Sequence, residues 1–260
     1  MNAEGDVMLL AVDIGNTEVT LGLFEAGTLR SSFRVSSETR RTVDEVRLLL
    51  EQAFPDMARG RMAVVIGSVV PAQTPLYADA ARRLTGSDPL VVGPDTTAGV
   101  KIEYRDPGSV GADRIANAAA AFERYGAPAI VVDFGTATTF DVLLEGQRYL
   151  GGVIAPGVLT GAENLVRRAA RLGAFELKPP ARVVGRSTEE SLQSGVFYGA
   201  VGEVDSIVRR IAAEESITPK VIATGGLAAA IAAHSETIQE VDPDLTLYGL
   251  RIIFEKHRPR

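Results

Sequence analysis

The feature that most constrains this chain of 260 residues is a motif that occurs twice. Val12-Asp13-Ile14-Gly15-Asn16-Thr17 returns as Val132-Asp133-Phe134-Gly135-Thr136-Ala137, 120 positions later. In each copy an apolar β-type run enters an Asp-x-Gly turn and a second apolar run leaves it. Each copy then reaches a turn containing a glutamate, Glu25-Ala26-Gly27 in the first and Glu145-Gly146 in the second. A single Asp-x-Gly is ordinary turn chemistry. Two matched strand–turn–strand units imply a duplicated α/β architecture with a cleft between the copies.

The intervening sequence alternates strand and helix signals, as an α/β fold requires. Val7–Val12, Val19–Phe24 and Leu29–Val35 read as strands, followed by a capping box at Thr42-Val43-Asp44-Glu45 that opens a helix to about Phe54. Met62–Val70 reads as a strand stopped at Pro71, residues 72–85 as a helix and Leu90–Val92 as a short strand. Ala112–Tyr125 is an Ala-rich helix closed by Gly126 and Pro128. Beyond it, Ala129–Val132 and Phe140–Leu144 are strands. Ser187-Thr188-Glu189-Glu190 is a second capping box, whose helix runs toward residue 215. Val221–Ala223 reads as a strand, Leu227–His234 as a helix and Arg251–Phe254 as a strand or helix end, before the basic tail Lys256–Arg260.

Composition removes several classes of chemistry. There is no cysteine, which excludes disulfides, thiolate zinc sites and cysteine nucleophiles, and the only histidines are His234 and His257. Acidic residues outnumber basic ones 33 to 27, so the chain lacks the overall basic footprint of a nucleic-acid binder. No apolar run approaches the length of a membrane span, and Val7–Val12 is too short for a signal-peptide core. The expectation is a soluble cytoplasmic protein that works with carboxylates, hydroxyls, glycines and a few basic groups.

Two segments could carry such chemistry. Asp13–Thr20 is a strand end turning on Gly15, where backbone N–H groups can approach an anion while Asn16, Thr17 and Thr20 add donors. Asp13 could hold Mg²⁺ through water. For one copy alone a plain hairpin turn is the better explanation, but a nucleoside triphosphate in a cleft needs phosphate cradles from both walls, and Asp133-Phe134-Gly135-Thr136 supplies the second. No Gly-x-x-x-x-Gly-Lys-Ser/Thr sequence is present, so a P-loop is excluded. In the second segment, Gly111-Ala112-Asp113-Arg114, a carboxylate suits a first helical turn, whereas the adjacent arginine is unusual there. Phosphoryl transfer to an alcohol needs a base and a cation, which this pair could supply, and a plain helix start remains an equal reading of the segment. Thr224-Gly225-Gly226-Leu227 could lie against a flat ligand or serve as a tight strand-to-helix turn. Gly151-Gly152 and Pro156-Gly157 read as a close-approach loop or as simple turns.

Taken with Ser68-Val69-Val70-Pro71, Gly151-Gly152-Val153-Ile154-Ala155-Pro156-Gly157 and Leu245-Thr246-Leu247-Tyr248-Gly249-Leu250, these motifs resemble the type III pantothenate kinases, or Bvg accessory factor family, along nearly the whole chain. The resemblance implies an acetate and sugar kinase/Hsc70/actin-like fold, two ribonuclease-H-like halves around a nucleotide cleft, here divided as residues 1–115 and 116–260. It implies phosphorylation of pantothenate by ATP to 4′-phosphopantothenate, the first step of coenzyme A biosynthesis. Asp13, Ile14, Gly15, Asn16, Thr17, Glu18, Val19 and Thr20 would form the ATP phosphate loop, with Thr136 as a further nucleotide contact. Tyr104, Gly111, Ala112, Asp113 and Arg114 would bind pantothenate, with Asp113 as proton acceptor. Asp133 would be a ligand of a monovalent cation, K⁺ or NH₄⁺, beside a nucleotide that brings Mg²⁺. Thr188 would contact substrate across a homodimer interface.

The sequence departs from the family pattern at four places. Glu18 stands where a neutral or basic side chain is expected. A carboxylate 4 Å from a phosphate charge costs about 4 kcal/mol at an effective dielectric near 20, unless strand alternation turns it away. Gly161 replaces a Ser or Thr, Leu172-Gly173 a Leu-Pro, and Ser187 an Asn. Two other functions stay open on these residues: another small-molecule kinase of the same fold, or a catalytically weak nucleotide-binding regulator.

Overall fold

In the computed structural model, which describes residues 8–37, 39–55, 62–168 and 176–257, each Asp-x-Gly turn joins the first two strands of its own sheet. The first sheet uses β1 (Met8–Ile14), β2 (Glu18–Glu25), β3 (Thr28–Ser36), β4 (Met62–Ser68) and β5 (Leu90–Val91), in the order β3-β2-β1-β4-β5. Interleaved with them are α1 (Val43–Ala53) and α2 (Thr74–Thr85), and a two-residue strand β6 (Lys101–Ile102) precedes α3 (Ala112–Arg124). The second half comprises β7 (Ala129–Phe134), β8 (Ala137–Leu144), β9 (Arg148–Pro156), α4 (Val158–Arg168), α5 (Thr188–Glu214), β10 (Lys220–Gly225), α6 (Ala228–Ala232) and β11 (Glu240–Val241). Its strands run β9-β8-β7-β10-β11. The chain ends in α7 (Leu245–His257).

The duplicated motif therefore marks a duplicated topology. In both sheets the first three strands form an antiparallel meander, and the first strand pairs parallel with the fourth. Strand alternation explains the packing of each. In the first half Leu10, Val12, Ile14, Val19 and Leu21 face one side and bury against Val46, Leu50, Tyr77 and Ala80 of α1 and α2. In the second, Ile130, Val132, Phe134 and Phe140 bury against Phe197, Val201 and Val204 of α5.

Local sequence fixes the helix starts. Thr42 forms the complete capping box with Glu45, its side chain accepting from the Glu45 N–H while the Glu45 carboxylate accepts from the Thr42 N–H at 2.7 Å. The second box forms only half. The Ser187 hydroxyl accepts from the Glu190 N–H at 3.1 Å, but the Glu190 carboxylate reaches back to the Arg186 N–H instead. A third anchor was not evident in the sequence. Asp205 of α5 accepts from the Ser235 and Thr237 hydroxyls and from the N–H groups of Glu236 and Thr237. Burial opposes its charge, but these hydrogen bonds outweigh burial and hold its carboxyl below the usual range.

The described residues up to Ala120, together with those from Leu245 on, form one compact unit, and those between Ala121 and Asp244 form a second. Against the expected division at 115/116, the boundary falls later within α3, and the last helix belongs to the first unit. The reason is α7, which is helical throughout, Arg251–Phe254 included. It buries Leu245, Leu247, Leu250, Ile252 and Ile253. Leu247 packs where Gly22 of β2 leaves room for it, Leu250 does the same at Gly67 of β4, and Gly249 lies against the Ala116 backbone of α3.

Other differences are local. β4 ends at Ser68, short of Val70, because the Ser68 hydroxyl accepts from the Val70 N–H and turns the chain. Gly151-Gly152 is part of strand β9, not a loop. Gly151, at φ 136°, sits at the register shift opposite Val142 and Leu143. Val7, Leu172-Gly173 and the tail residues Arg258, Pro259 and Arg260 lie outside the described residues.

Gly249 and Gly161 make opposite predictions. A Cβ on Gly249 would lie 1.9 Å from the Ala116 carbonyl oxygen, whereas one on the helical Gly161 would meet nothing within 4 Å. Gly249→Ala is expected to destabilise the protein by about 3 kcal/mol. Gly161→Ala is expected to stabilise it by about 0.5–1 kcal/mol. Urea denaturation of both variants checks the pair.

Candidate active site

The turn between β1 and β2 is tight and held from behind. The Gly15 N–H donates to the Glu18 carbonyl at 2.9 Å, and a Cβ at Gly15 would stand 3.0 Å from that oxygen. The Ser37 hydroxyl donates to the Gly15 carbonyl at 2.6 Å, and Gln73 in turn donates to the Ser37 carbonyl at 2.8 Å. With its frame fixed, the tip presents Asn16, Thr17 and Glu18 exposed, while Ile14 and Val19 on either side are buried.

Sheet register gives this turn a definite neighbourhood. Asp13 pairs with Gly67 on one side and Thr20 on the other, and Thr20 pairs with Arg34. Gly67, Asp13, Thr20 and Arg34 thus form one row across four strands, on the face opposite the α1/α2 core. Glu18, two residues from Thr20, shares that face. Alternation does not turn it away from Asp13 and Thr20. At the other end of the row, the Ala112 methyl lies 3.7 Å from the Cβ position of Gly67, bringing the start of α3 beside the β1–β4 edge.

At that helix start the Asp113 carboxylate folds back over Gly111. Its Oδ1 accepts from the Arg114 N–H at 2.8 Å and lies 2.4 Å from where a Gly111 Cβ would be. A side chain at Gly111 would push this carboxylate out of its place. Burial pushes the Asp113 carboxyl above its ordinary value, against the opposing pull of the Arg114 N–H and guanidinium. Arg114 itself is buried, 7% exposed. Tyr104 is half-buried on the segment after β6, and Asp106 closes the following turn by accepting from the Gly108 N–H at 3.1 Å.

The second unit builds a matching turn from its own sheet. The Gly135 N–H donates to the Ala137 carbonyl at 3.0 Å, and Thr136 is exposed at the tip. The Thr160 hydroxyl donates to the Thr136 carbonyl at 3.0 Å. Gly157 comes so close beneath the turn that a Cβ there would lie 2.3 Å from the same oxygen. Asp133 pairs in register with Thr224, which is buried. Gly225, at φ 89°, leaves space that a Cβ would fill, 2.8 Å from Asp133 Oδ1 and 2.6 Å from the Phe134 carbonyl oxygen. Thr188 is exposed in the first turn of α5.

Sequence reasoning missed two members of these surroundings. Arg34 carries no motif, and only the β2–β3 register places it beside Thr20. Asp141, fully buried on β8, accepts from the Tyr149 hydroxyl at 2.7 Å, a pairing set by the β8–β9 hairpin. Among the described residues no group of three or more His, Asp or Glu could hold a metal ion. None of their helices is long and apolar enough to cross a membrane.

Residues 9–210 match a family model described as type III pantothenate kinase. Two curated relatives of that description come from Geobacter sulfurreducens and Anaeromyxobacter dehalogenans, at 45% and 48% identity. Each alignment covers 96% of this chain and 100% of the relative. Two solved structures are similar at lower identity. A Campylobacter jejuni protein proposed to be a Baf family transcriptional activator gives a TM-score of 0.57 at 19% identity, covering 95% of this chain and 98% of that one. A Sinorhizobium meliloti protein proposed to be a 2-dehydro-3-deoxygalactonokinase gives 0.58 at 14%, covering 97% of each. These two likenesses concern the fold alone, the acetate and sugar kinase/Hsc70/actin-like α/β fold.

The raised Asp113 carboxyl has a consequence for stability. A carboxyl titrating higher in the folded than in the unfolded chain makes the fold less stable as pH rises from about 3.9 through the raised value. Asp113→Asn removes that cost and keeps an oxygen to accept from the Arg114 N–H. The variant is expected to melt above the parent at pH 7, with the gap closing as the medium is acidified toward pH 4. Thermal melts across that range check it.

Proposed function

The chain belongs to the type III pantothenate kinase family, and from that premise we propose which of its side chains carry the reaction. The protein is a kinase that transfers the γ-phosphoryl group of ATP to pantothenate, giving 4′-phosphopantothenate and ADP in coenzyme A biosynthesis. The observation that carries the assignment of roles is the Asp113 carboxyl, folded over Gly111 and raised by burial, at a helix start beside the row that ends the phosphate turn.

Asp113 is the base. As the primary hydroxyl of pantothenate forms its bond to the γ-phosphorus, the bond from that phosphorus to the bridging oxygen of ADP breaks, and the hydroxyl proton passes to Asp113. A carboxyl raised above its ordinary range is better matched to this work near neutral pH than an exposed one. Tyr104, Gly111, Ala112 and Arg114 bind pantothenate, with the Arg114 guanidinium opposite its carboxylate or the transferring phosphoryl group. Asp13–Thr20 cradles the phosphates through the backbone of a turn that Ser37 and Gln73 hold in shape. Thr136 adds a second contact from the corresponding turn.

The reaction uses a divalent metal with ATP, which lowers the charge on the phosphates. With no cluster of three ligating side chains among the described residues, a metal held largely by the nucleotide, with Asp13 as a water-mediated partner, fits the donors present. For the monovalent cation, the space at Gly225 between Asp133 Oδ1 and the Phe134 carbonyl offers hard oxygen donors suited to K⁺ or NH₄⁺.

The working form is a homodimer in which Thr188 reaches the partner's substrate. Exposed Ile154, Leu159, Leu165, Val183 and Val184, on and around β9, α4 and the approach to α5, favour such an association. The compartment is the cytoplasm.

ADP release from purified protein, with Mg-ATP and pantothenate in potassium and then in sodium, tests these roles. Turnover is expected to depend on pantothenate and to be faster in potassium. Asp113→Asn is expected to lower kcat by about 10²–10⁴ while leaving the KM for ATP near the parent's. Asp113→Asn turnover equal to the parent's would remove the base. ATP binding without turnover in either salt would favour the regulatory reading.

A further inference from the structure

We propose that Arg34 is a nucleotide-positioning residue whose guanidinium contacts the phosphate chain of ATP and offsets the negative charge of Glu18. The inference rests on Asp13–Thr20 being the phosphate turn.

The argument begins with Glu18. Its carboxylate is exposed on the same sheet face as Asp13 and Thr20, so two carboxylates stand where a polyanion is to bind. Such a surface repels phosphate unless a cation shares it. Register and hydrogen bonding set two basic residues, Arg34 and Arg41, beside this turn. Arg41 is engaged, its Nη1 donating to the Ser36 carbonyl at 2.8 Å beside Glu18. Arg34 is exposed, and no hydrogen bond or ion pair joins its guanidinium to a described residue.

Its place follows from register. Arg34 is directly opposite Thr20 and diagonal to Glu18, which pairs with Ser36. Directly opposed side chains on one face start about 5 Å apart and diagonal ones about 7–8 Å, both within the reach of an arginine. The face is also open here. α7 covers it at Gly22 and Gly67, whereas Arg34 and Glu18 are both exposed. Arginine suits the task better than lysine because its planar fork can meet two phosphate oxygens at once.

Steady-state kinetics of the full chain with Mg-ATP and pantothenate tests the assignment. Arg34→Gln is expected to raise the KM for ATP about tenfold and leave the KM for pantothenate within about twofold, since one charge-assisted contact is lost from ATP alone. Arg34→Lys is expected to fall between the two. Glu18→Gln is expected to lower the KM for ATP, and Arg34→Gln to cost less in that background because less repulsion remains to offset. Circular dichroism confirms that each variant is folded. A folded Arg34→Gln protein with an unchanged KM for ATP overturns the proposal. Asp13→Asn separates the two levels of the argument. If it weakens ATP while Arg34→Gln does not, Arg34 is misassigned and the phosphate turn stands. If neither affects the KM for ATP, the phosphate turn falls and Arg34 with it.

Discussion

The first unit depends on a contact made at the level of the backbone, where Gly249 of α7 lies against the Ala116 carbonyl of α3. No side chain larger than hydrogen fits there, so the two helices are as close as their main chains permit. The Thr246 hydroxyl adds a hydrogen bond to Asn117 at 2.8 Å one turn away, and Asn117 is fully buried. Asn117 follows Asp113 by one helical turn, so the same contact that brings the last helix back to the first sheet also sets the height and rotation of the helix that carries Asp113. Gly22 and Gly67 extend the fit by leaving room for Leu247 and Leu250 where a Cβ would otherwise stand.

Duplication supplies the other organising principle. The same five-strand order occurs in both units, and both place an aspartate one residue before the last of the first strand, followed by a glycine turn. The two turns are buttressed by different means. Ser37 and Gln73 hold the first through hydrogen bonds. Gly157 and Thr160 press the second from below. Their surroundings diverge too. Asp13 sits in a row that ends in a cation, whereas Asp133 sits beside the positive-φ Gly225 and the buried Thr224. A shared scaffold thus presents two different electrostatic environments.

Much of this was legible in the sequence because the signals were local. The repeated Asp-x-Gly, the Thr42 and Ser187 caps and the Gly-Ala-Asp-Arg segment are short patterns whose meaning does not depend on distant residues. What escaped was set by pairing. Arg34 gains its significance only from lying opposite Thr20, a relation fixed by the β2–β3 hairpin. Glu18 could not be assigned a face until that register was known. Gly151-Gly152 resembled a loop because glycine is poor in strands, yet one of the pair serves a bulge in β9. Half of the Ser187 box failed because Glu190 found the Arg186 N–H instead of the cap's own. The return of α7 to the first unit depends on Gly22, Gly67 and Gly249, which lie far apart in the sequence, so the motif around Gly249 did not reveal what it packs against.

The central claim is that burial keeps the Asp113 carboxyl above its ordinary range and that its ionised form takes the substrate proton. The pH dependence of kcat/KM for pantothenate tests this most directly, since it reports ionisations of the free enzyme and substrate. The account predicts an acid limb that begins above the range where ordinary carboxylates, the substrate's included, titrate, with activity falling as Asp113 becomes protonated. A profile that stays flat on acidification until about pH 4, where an unperturbed carboxylate protonates, would contradict it.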